Sequence, residues 1–160
     1  MEPSPLQREL RKTKPFDCAE EEALLNLVRS AEVLCRDFRV LFAEHGISEP
    51  QYNVLRILRG HRDTGLPCQE IAPQMVTPMP DITRLVDRLE AAGLARRERI
   101  ATDRRVVLVR IAPPGLDLLA RLDEPVRAMH KRQLKHLTRG ELAELNRLLA
   151  KVRQPGAALS

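Results

Sequence analysis

Between residues 19 and 45 apolar side chains recur at steps of three and four. Leu24, Val28, Ala31, Cys35, Phe38 and Phe42 fall on one stripe of a long predicted helix. Asp17 followed by Glu20 reads as a variant capping box at its start, and Gly46 ends it. At about 1.5 Å per residue such a helix is roughly 40 Å long. A compact chain of 160 residues has a radius of gyration of only about 15 Å. One helix would span the whole globule, which points to a second subunit covering its ends.

Ser48 and Pro50 open the next helix, with Tyr52, Leu55 and Leu58 inward and a stop at Gly60. A polar loop over 61–65 leads to a short helix over 68–74, whose last turn Pro73 should break. A further helix is expected over 77–92. Thr77 and Pro78 mark its start, Ile82, Leu85, Val86 and Leu89 its buried stripe, and Gly93 its end. The period then changes. Val107, Val109 and Ile111 alternate with Val106, Leu108 and Arg110 on a strand, and a shorter strand over 95–100 can pair with it across 101–105. Pro113, Pro114 and Gly115 start a helix running to about residue 137, kinked or split at Pro125. Thr138 and Glu141 form a capping box for a last helix carrying Leu142, Leu145, Leu148, Leu149 and Val152. Residues 1–16, punctuated by Pro3, Pro5 and Pro15, read as a flexible arm, and 154–160 as a disordered tail.

The expected fold class is therefore mainly α with a small β-hairpin wing. Two short helices joined by a tight turn and followed at once by a hairpin make the winged helix-turn-helix arrangement, whose second helix suits the width of the DNA major groove. A DNA-binding lobe is expected over 47–112, and a helical dimerisation lobe over 17–46 and 113–153. On this reading 77–92 is the recognition helix. Its DNA-facing residues are Thr77, Met79, Pro80, Thr83 and Arg84, with Arg88 one turn further on. Thr83 and Arg84 can hydrogen-bond base edges or phosphates, and arginine pairs bidentately with guanine. Pro78 and Pro80 supply no backbone N–H, so specific contacts must come from side chains.

Charge sharpens the picture only through its distribution, because a net charge of +5 is too small to prove a nucleic-acid partner. The predicted hairpin holds Arg96, Arg97, Arg99, Arg104 and Arg105 against Glu98 and Asp103. An arginine at its tip can enter a narrow minor groove, where the negative potential is strongest. Asp103 would orient Arg97 or Arg105 through a bidentate pair. Aromatic residues make up only 2% of the chain, which argues against a base-stacking platform for single strands. Cys18, Cys35 and Cys68 are scattered, without Cys-x-x-Cys spacing, and read as reduced thiols. Cys35 lies on the apolar stripe as a small core residue, while Cys18 and Cys68 sit near helix starts, which lower thiol pKa. His45, His61, His130 and His136 show no ligand spacing, so no metal is expected. No phosphate loop, nucleophile elbow or metalloprotease motif is present, so neither catalysis nor a cofactor is expected. Residues 1–15 lack a signal-peptide core and no apolar run approaches spanning length, so a soluble cytoplasmic protein without a membrane partner is expected.

The run DITRLVDRLEAAGLARRERIATDRRVVLVRIAPPGLDLLARL (81–122) resembles the core signature of the MarR family of bacterial regulators. ISEPQYNVLRIL (47–58) and LTRGELAELNRLLAKV (137–152) resemble that family's second and last helices, so the likeness covers roughly residues 20–152. The resemblance implies a homodimer interlocked by the first and last two helices, with wings flanking a pseudo-palindromic site on double-stranded DNA. It also implies repression of nearby genes and release by a small lipophilic or phenolic effector. The chain departs from the family pattern at Ala112, where a capping threonine is usual. It also lacks tyrosines beside Cys18, which the peroxide-sensing branch has. Two alternatives stand beside this reading: a winged-helix protein-interaction module that binds no DNA, and a redox regulator using Cys18 or Cys68.

Overall fold

The computed structural model describes residues 2–99 and 106–154. The chain divides into two compact units, Met1–Arg121 and Leu122–Ser160. Seven α-helices and three strands occur among the described residues, and no helix there is long and apolar enough to cross a membrane.

The first unit opens with helix α1, Pro5–Glu9, where a flexible arm is expected. Ser4 caps it by accepting from the Gln7 N–H at 3.2 Å, proline sits in its first turn, and Leu6 is buried. Glu9 pairs with Arg29 at 2.8 Å. Helix α2, Ala19–Glu44, starts at the predicted residue, but its cap lies one position later than the expected Asp17. Cys18 is its N-cap, with Sγ accepting from the Glu21 N–H at 3.4 Å, while Glu21 reaches back to the Asp17 N–H at 2.7 Å. The stripe read as core is buried only at its end. Phe42 is buried and stacks on Tyr52 with ring centroids 4.3 Å apart, whereas Leu24 and Val28 are about 60% exposed.

Helix α3, Glu49–Gly60, begins with a full capping box between Ser48 and Gln51 and buries Val54, Leu55 and Leu58. Strand β1, Leu66–Pro67, is too short to show any alternation in sequence, yet it pairs antiparallel with β3, Val107–Ile111. Helix α4, Cys68–Ile71, passes into a 3-10 turn at Ala72–Gln74, as Pro73 demands. Helix α5 is Ile82–Ala91, so Thr77 is not its cap. Thr77 and Met79 each precede a proline, which disfavours helical geometry and holds 75–81 extended or turned. The cap passes to Asp81, whose Oδ1 accepts from the Arg84 N–H at 3.0 Å.

Strand β2, Ala95–Arg99, pairs with β3 in register Ala95–Ile111 through Arg99–Val107, giving the sheet order β1-β3-β2. α5 buries Ile82, Leu85, Val86 and Leu89 and packs on α3, α4 and β2. Helix α6, Pro113–Gln133, starts at the tandem prolines and runs through Pro125 without splitting; it ends four residues short of the expected 137, in a turn where the Leu137 N–H bonds the Leu134 carbonyl. Near its start Gly115 admits no side chain, because a Cβ there would lie 2.3 Å from the Leu94 carbonyl oxygen. In the second unit, helix α7, Arg139–Val152, begins at the expected Thr138–Glu141 capping box and contains no buried residue.

Candidate nucleic-acid interface

Because Ile82, Leu85, Val86 and Leu89 turn inward, Thr83, Arg84, Asp87 and Arg88 form the outward face of α5, and all four are exposed. Asp81 does two things at the start of this face. It caps the helix, and its Oδ2 pairs with Arg84 Nε at 3.1 Å. The Arg84 side chain remains 80% exposed. An ion pair that wet is worth little, so the guanidinium can exchange it for another acceptor. Ahead of the helix Thr77 and Pro80 are exposed and Met79 is half-buried. The loop is tied to α3 where the Val76 N–H donates to Asn53 Oδ1 at 2.8 Å. Cys68 Sγ at the start of α4 lies 4.0 Å from Thr83 Oγ1.

The wing arginines do not act alike. Arg97 is one of the two expected partners of Asp103, with Arg105, but its guanidinium is held by α5: it meets Asp87 at 2.7 Å and Glu90 at 2.6 Å, and its backbone N–H also donates to Glu90 at 3.0 Å. Partial burial opposes the Arg97 charge, but the hydrogen bonds and attraction of these two carboxylates outweigh it and raise the pKa above the ordinary arginine value. Two results follow from one side chain. The wing is fastened to the helix, and the two acidic groups of α5 are neutralised beside its exposed arginines.

Arg110 is a second internal arginine. Its Nε lies 2.9 Å from Glu98, and its Nη1 donates to the Asp63 carbonyl at 3.0 Å. Arg96 stands opposite Arg110 in the ladder, and Glu98 also approaches Arg96 at 3.7 Å. One carboxylate thus offsets a cross-strand repulsion. Asp103, Arg104 and Arg105 lie outside the described residues.

Sequence reasoning missed the roles of Asn53, Asp87, Glu90 and Arg110. Only Asp87 and Glu90 left a usable signal: two acids one turn apart on a helix, followed after the Gly93 reversal by an arginine on the returning strand. The three cysteines are free: Cys18 caps α2, Cys35 lies within it and Cys68 starts α4; burial pushes the Cys35 thiol up, making it a poorer nucleophile. Among the described residues no group of three or more His, Cys, Asp or Glu side chains could hold a metal ion.

A helix pair, an outward-facing second helix and a hairpin fastened to it define a winged helix-turn-helix protein. The MarR family model matches residues 47–107. The crystal structure of a MarR transcription factor from Planctomyces limnophilus shares 43% identity, covering 84% of this chain and 98% of that one, with a TM-score of 0.65. A mutant MarR from E. coli complexed with operator DNA has the same fold, with a TM-score of 0.72 at 24% identity over 94% of this chain and 99% of that one. The HTH-type transcriptional repressor IacR of Pseudomonas putida is 32% identical over 100 residues, 62% of this chain, and the match spans only 59% of the repressor's length. The chain belongs to the MarR family of winged-helix transcriptional regulators.

Proposed function

We propose that the chain is a sequence-specific regulator that binds double-stranded DNA as a homodimer on a pseudo-palindromic operator. The observation that carries this reading is the outward face of α5: Thr83, Arg84 and Arg88 are exposed there, and the helix's two acids, Asp87 and Glu90, are neutralised by Arg97. In the major groove Thr83 and Arg84 meet base edges, while Thr77, Met79 and Pro80 line the approach. Arg104 and Arg105 at the wing tip meet phosphates or the minor groove, with Asp103 beside them. Arg97 acts indirectly, by setting the angle between wing and helix.

The dimer is supported by apolar side chains that the single chain leaves in water. Leu24, Val28, Val33 and Val40 on α2 are 54–61% exposed, and Leu145, Leu148 and Val152 on α7 are also exposed. Segments 17–46 and 113–153 would form the dimerisation region. Repression, and release of DNA by a small lipophilic or phenolic effector, complete the proposal on the strength of the family likeness.

Selection of bound duplexes from random-sequence DNA tests the reading. A recovered palindrome with half-sites about one helical turn apart supports it. Binding should weaken steeply with salt, with a log–log slope of about −0.9 per neutralised phosphate. Failure to enrich any duplex, together with salt-insensitive capture of a protein partner, would sink it in favour of an interaction module.

A further inference from the structure

The loop ahead of α5 carries an apolar group that folding does not use. Val76 is 85% exposed, the highest among the exposed large hydrophobic side chains described. A single exposed valine is ordinary on a protein surface. Val76 differs in two respects. Its backbone is fixed, because its N–H donates to Asn53 Oδ1 at 2.8 Å across from α3. It also stands immediately before Thr77, in the segment that runs into the exposed first turn of α5.

The chemistry of that segment is narrow. Val76-Thr77-Pro78-Met79-Pro80 contains two prolines without N–H donors and one hydroxyl. A segment so poor in donors is ill suited to reading hydrogen-bond patterns. The apolar feature displayed on major-groove base edges is the C5-methyl group of thymine, and an exposed aliphatic side chain is its natural contact.

We propose that Val76 is a specificity-determining residue that reads a thymine methyl group, and that Asn53 is a positioning residue holding the loop so that it can. This deepens the DNA-binding reading above and rests on it. The two γ-methyls of Val76 pack against the thymine methyl, and Asn53 fixes the main chain from which they project. The contact is independent of Arg84, which recognises hydrogen-bonding groups.

The test uses the full chain and its selected duplex, with each thymine replaced in turn by deoxyuridine, which lacks only the methyl group. The wild-type chain is expected to lose affinity about fourfold at one thymine position, the value of burying one methylene-sized group. Val76→Ala should bind the thymine and deoxyuridine duplexes equally at that position while keeping its response at all others. Asn53→Ala should reduce the same discrimination with Val76 still in place. Circular dichroism should show all variants folded, since Val76 is exposed and Asn53 half-buried. Uniform indifference of the wild type to deoxyuridine, or full discrimination retained by Val76→Ala, overturns the proposal with DNA binding intact. A chain that selects no duplex overturns the DNA-binding reading itself.

Discussion

Helix α5 has 10 residues and buries four apolar side chains, whereas α2 has 26 residues and buries one. The difference lies in where each helix finds its partners. α5 lies against α3, α4 and β2 of its own chain, so folding alone removes its apolar face from water. Along α2 the residues from Leu24 to Val40 keep much apolar area in solvent, and only Phe42 at the far end is enclosed. At about 25 cal/mol per Å², such a face favours association far more than it favours the isolated fold. The winged segment is thus a finished core, whereas α2 carries an apolar face that its own fold leaves open, as the proposed dimer requires.

The largest effects should separate these two regions. Leu89 is fully buried on α5, so Leu89→Ala should destabilise the chain by about 2–5 kcal/mol in urea unfolding. Val28 on α2 is 60% exposed, and Val28→Asp disturbs nothing buried within the chain. Its expected effect is a fall in mass from dimer to monomer in light scattering. A dimeric Val28→Asp with lowered intrinsic stability would reverse the comparison. Gly115→Ala comes next. Its Cβ would meet the Leu94 carbonyl at 2.3 Å and Ile111 Cγ1 at 2.9 Å, and relieving that overlap should cost about 1–3 kcal/mol. A Gly115→Ala chain as stable as the parent would mean that the contact between α6 and the wing base is loose.

A smaller effect distinguishes the two kinds of arginine. Arg97 bridges Asp87 and Glu90 with its side chain about a quarter exposed, and both carboxylates are wetter still. Discounted for that exposure, its loss should lower stability by on the order of 1 kcal/mol. Arg97→Ala should weaken DNA binding yet leave the salt slope unchanged, because Arg97 neutralises acids rather than phosphates. Arg97→Lys should not restore affinity, since a point charge cannot span two carboxylates as the fork does. Arg84→Ala should cost about 1–3 kcal/mol of binding and relax the preference at one base pair. The comparison fails if Arg97→Ala flattens the salt dependence as a phosphate contact would.

Periodicity made most helices legible in the sequence, because α3, α5 and α7 each carry a strong apolar stripe and a side-chain cap close by. The cap of α5 was displaced from Thr77 to Asp81 because local proline sterics outweigh the preference of threonine for helix starts. β1 was invisible because a strand of two residues has no period. Helix α1 was hidden by its polarity: only Leu6 is buried, and one residue makes no pattern. At the candidate site, the outward face of α5 could be read because it is the complement of the inward stripe. The pairing of Arg97 could not, because whether a strand arginine meets an acid of its own hairpin or Asp87 and Glu90 on a helix is decided by tertiary geometry.

The smallest predicted effect concerns how α7 starts when no buried residue holds it. Its capping box must supply much of the local order. Glu141 Oε2 accepts from the Thr138 N–H and hydroxyl, both at 2.8 Å, and these bonds hold its pKa below the ordinary 4.5. A carboxylate with a depressed folded-state pKa stabilises the helix start fully above the unfolded value. That contribution is lost as pH falls below 4.5 through the lowered value. Protection of the Thr138 amide from hydrogen exchange should therefore decline in that acid window. Glu141→Gln keeps the hydrogen-bond geometry of the box without a titrating group, so its amide protection should stay flat over the same range. If the Glu141→Gln chain frays with acid as the parent does, the pH dependence comes from elsewhere in the chain, and the α7 start does not depend on its capping carboxylate.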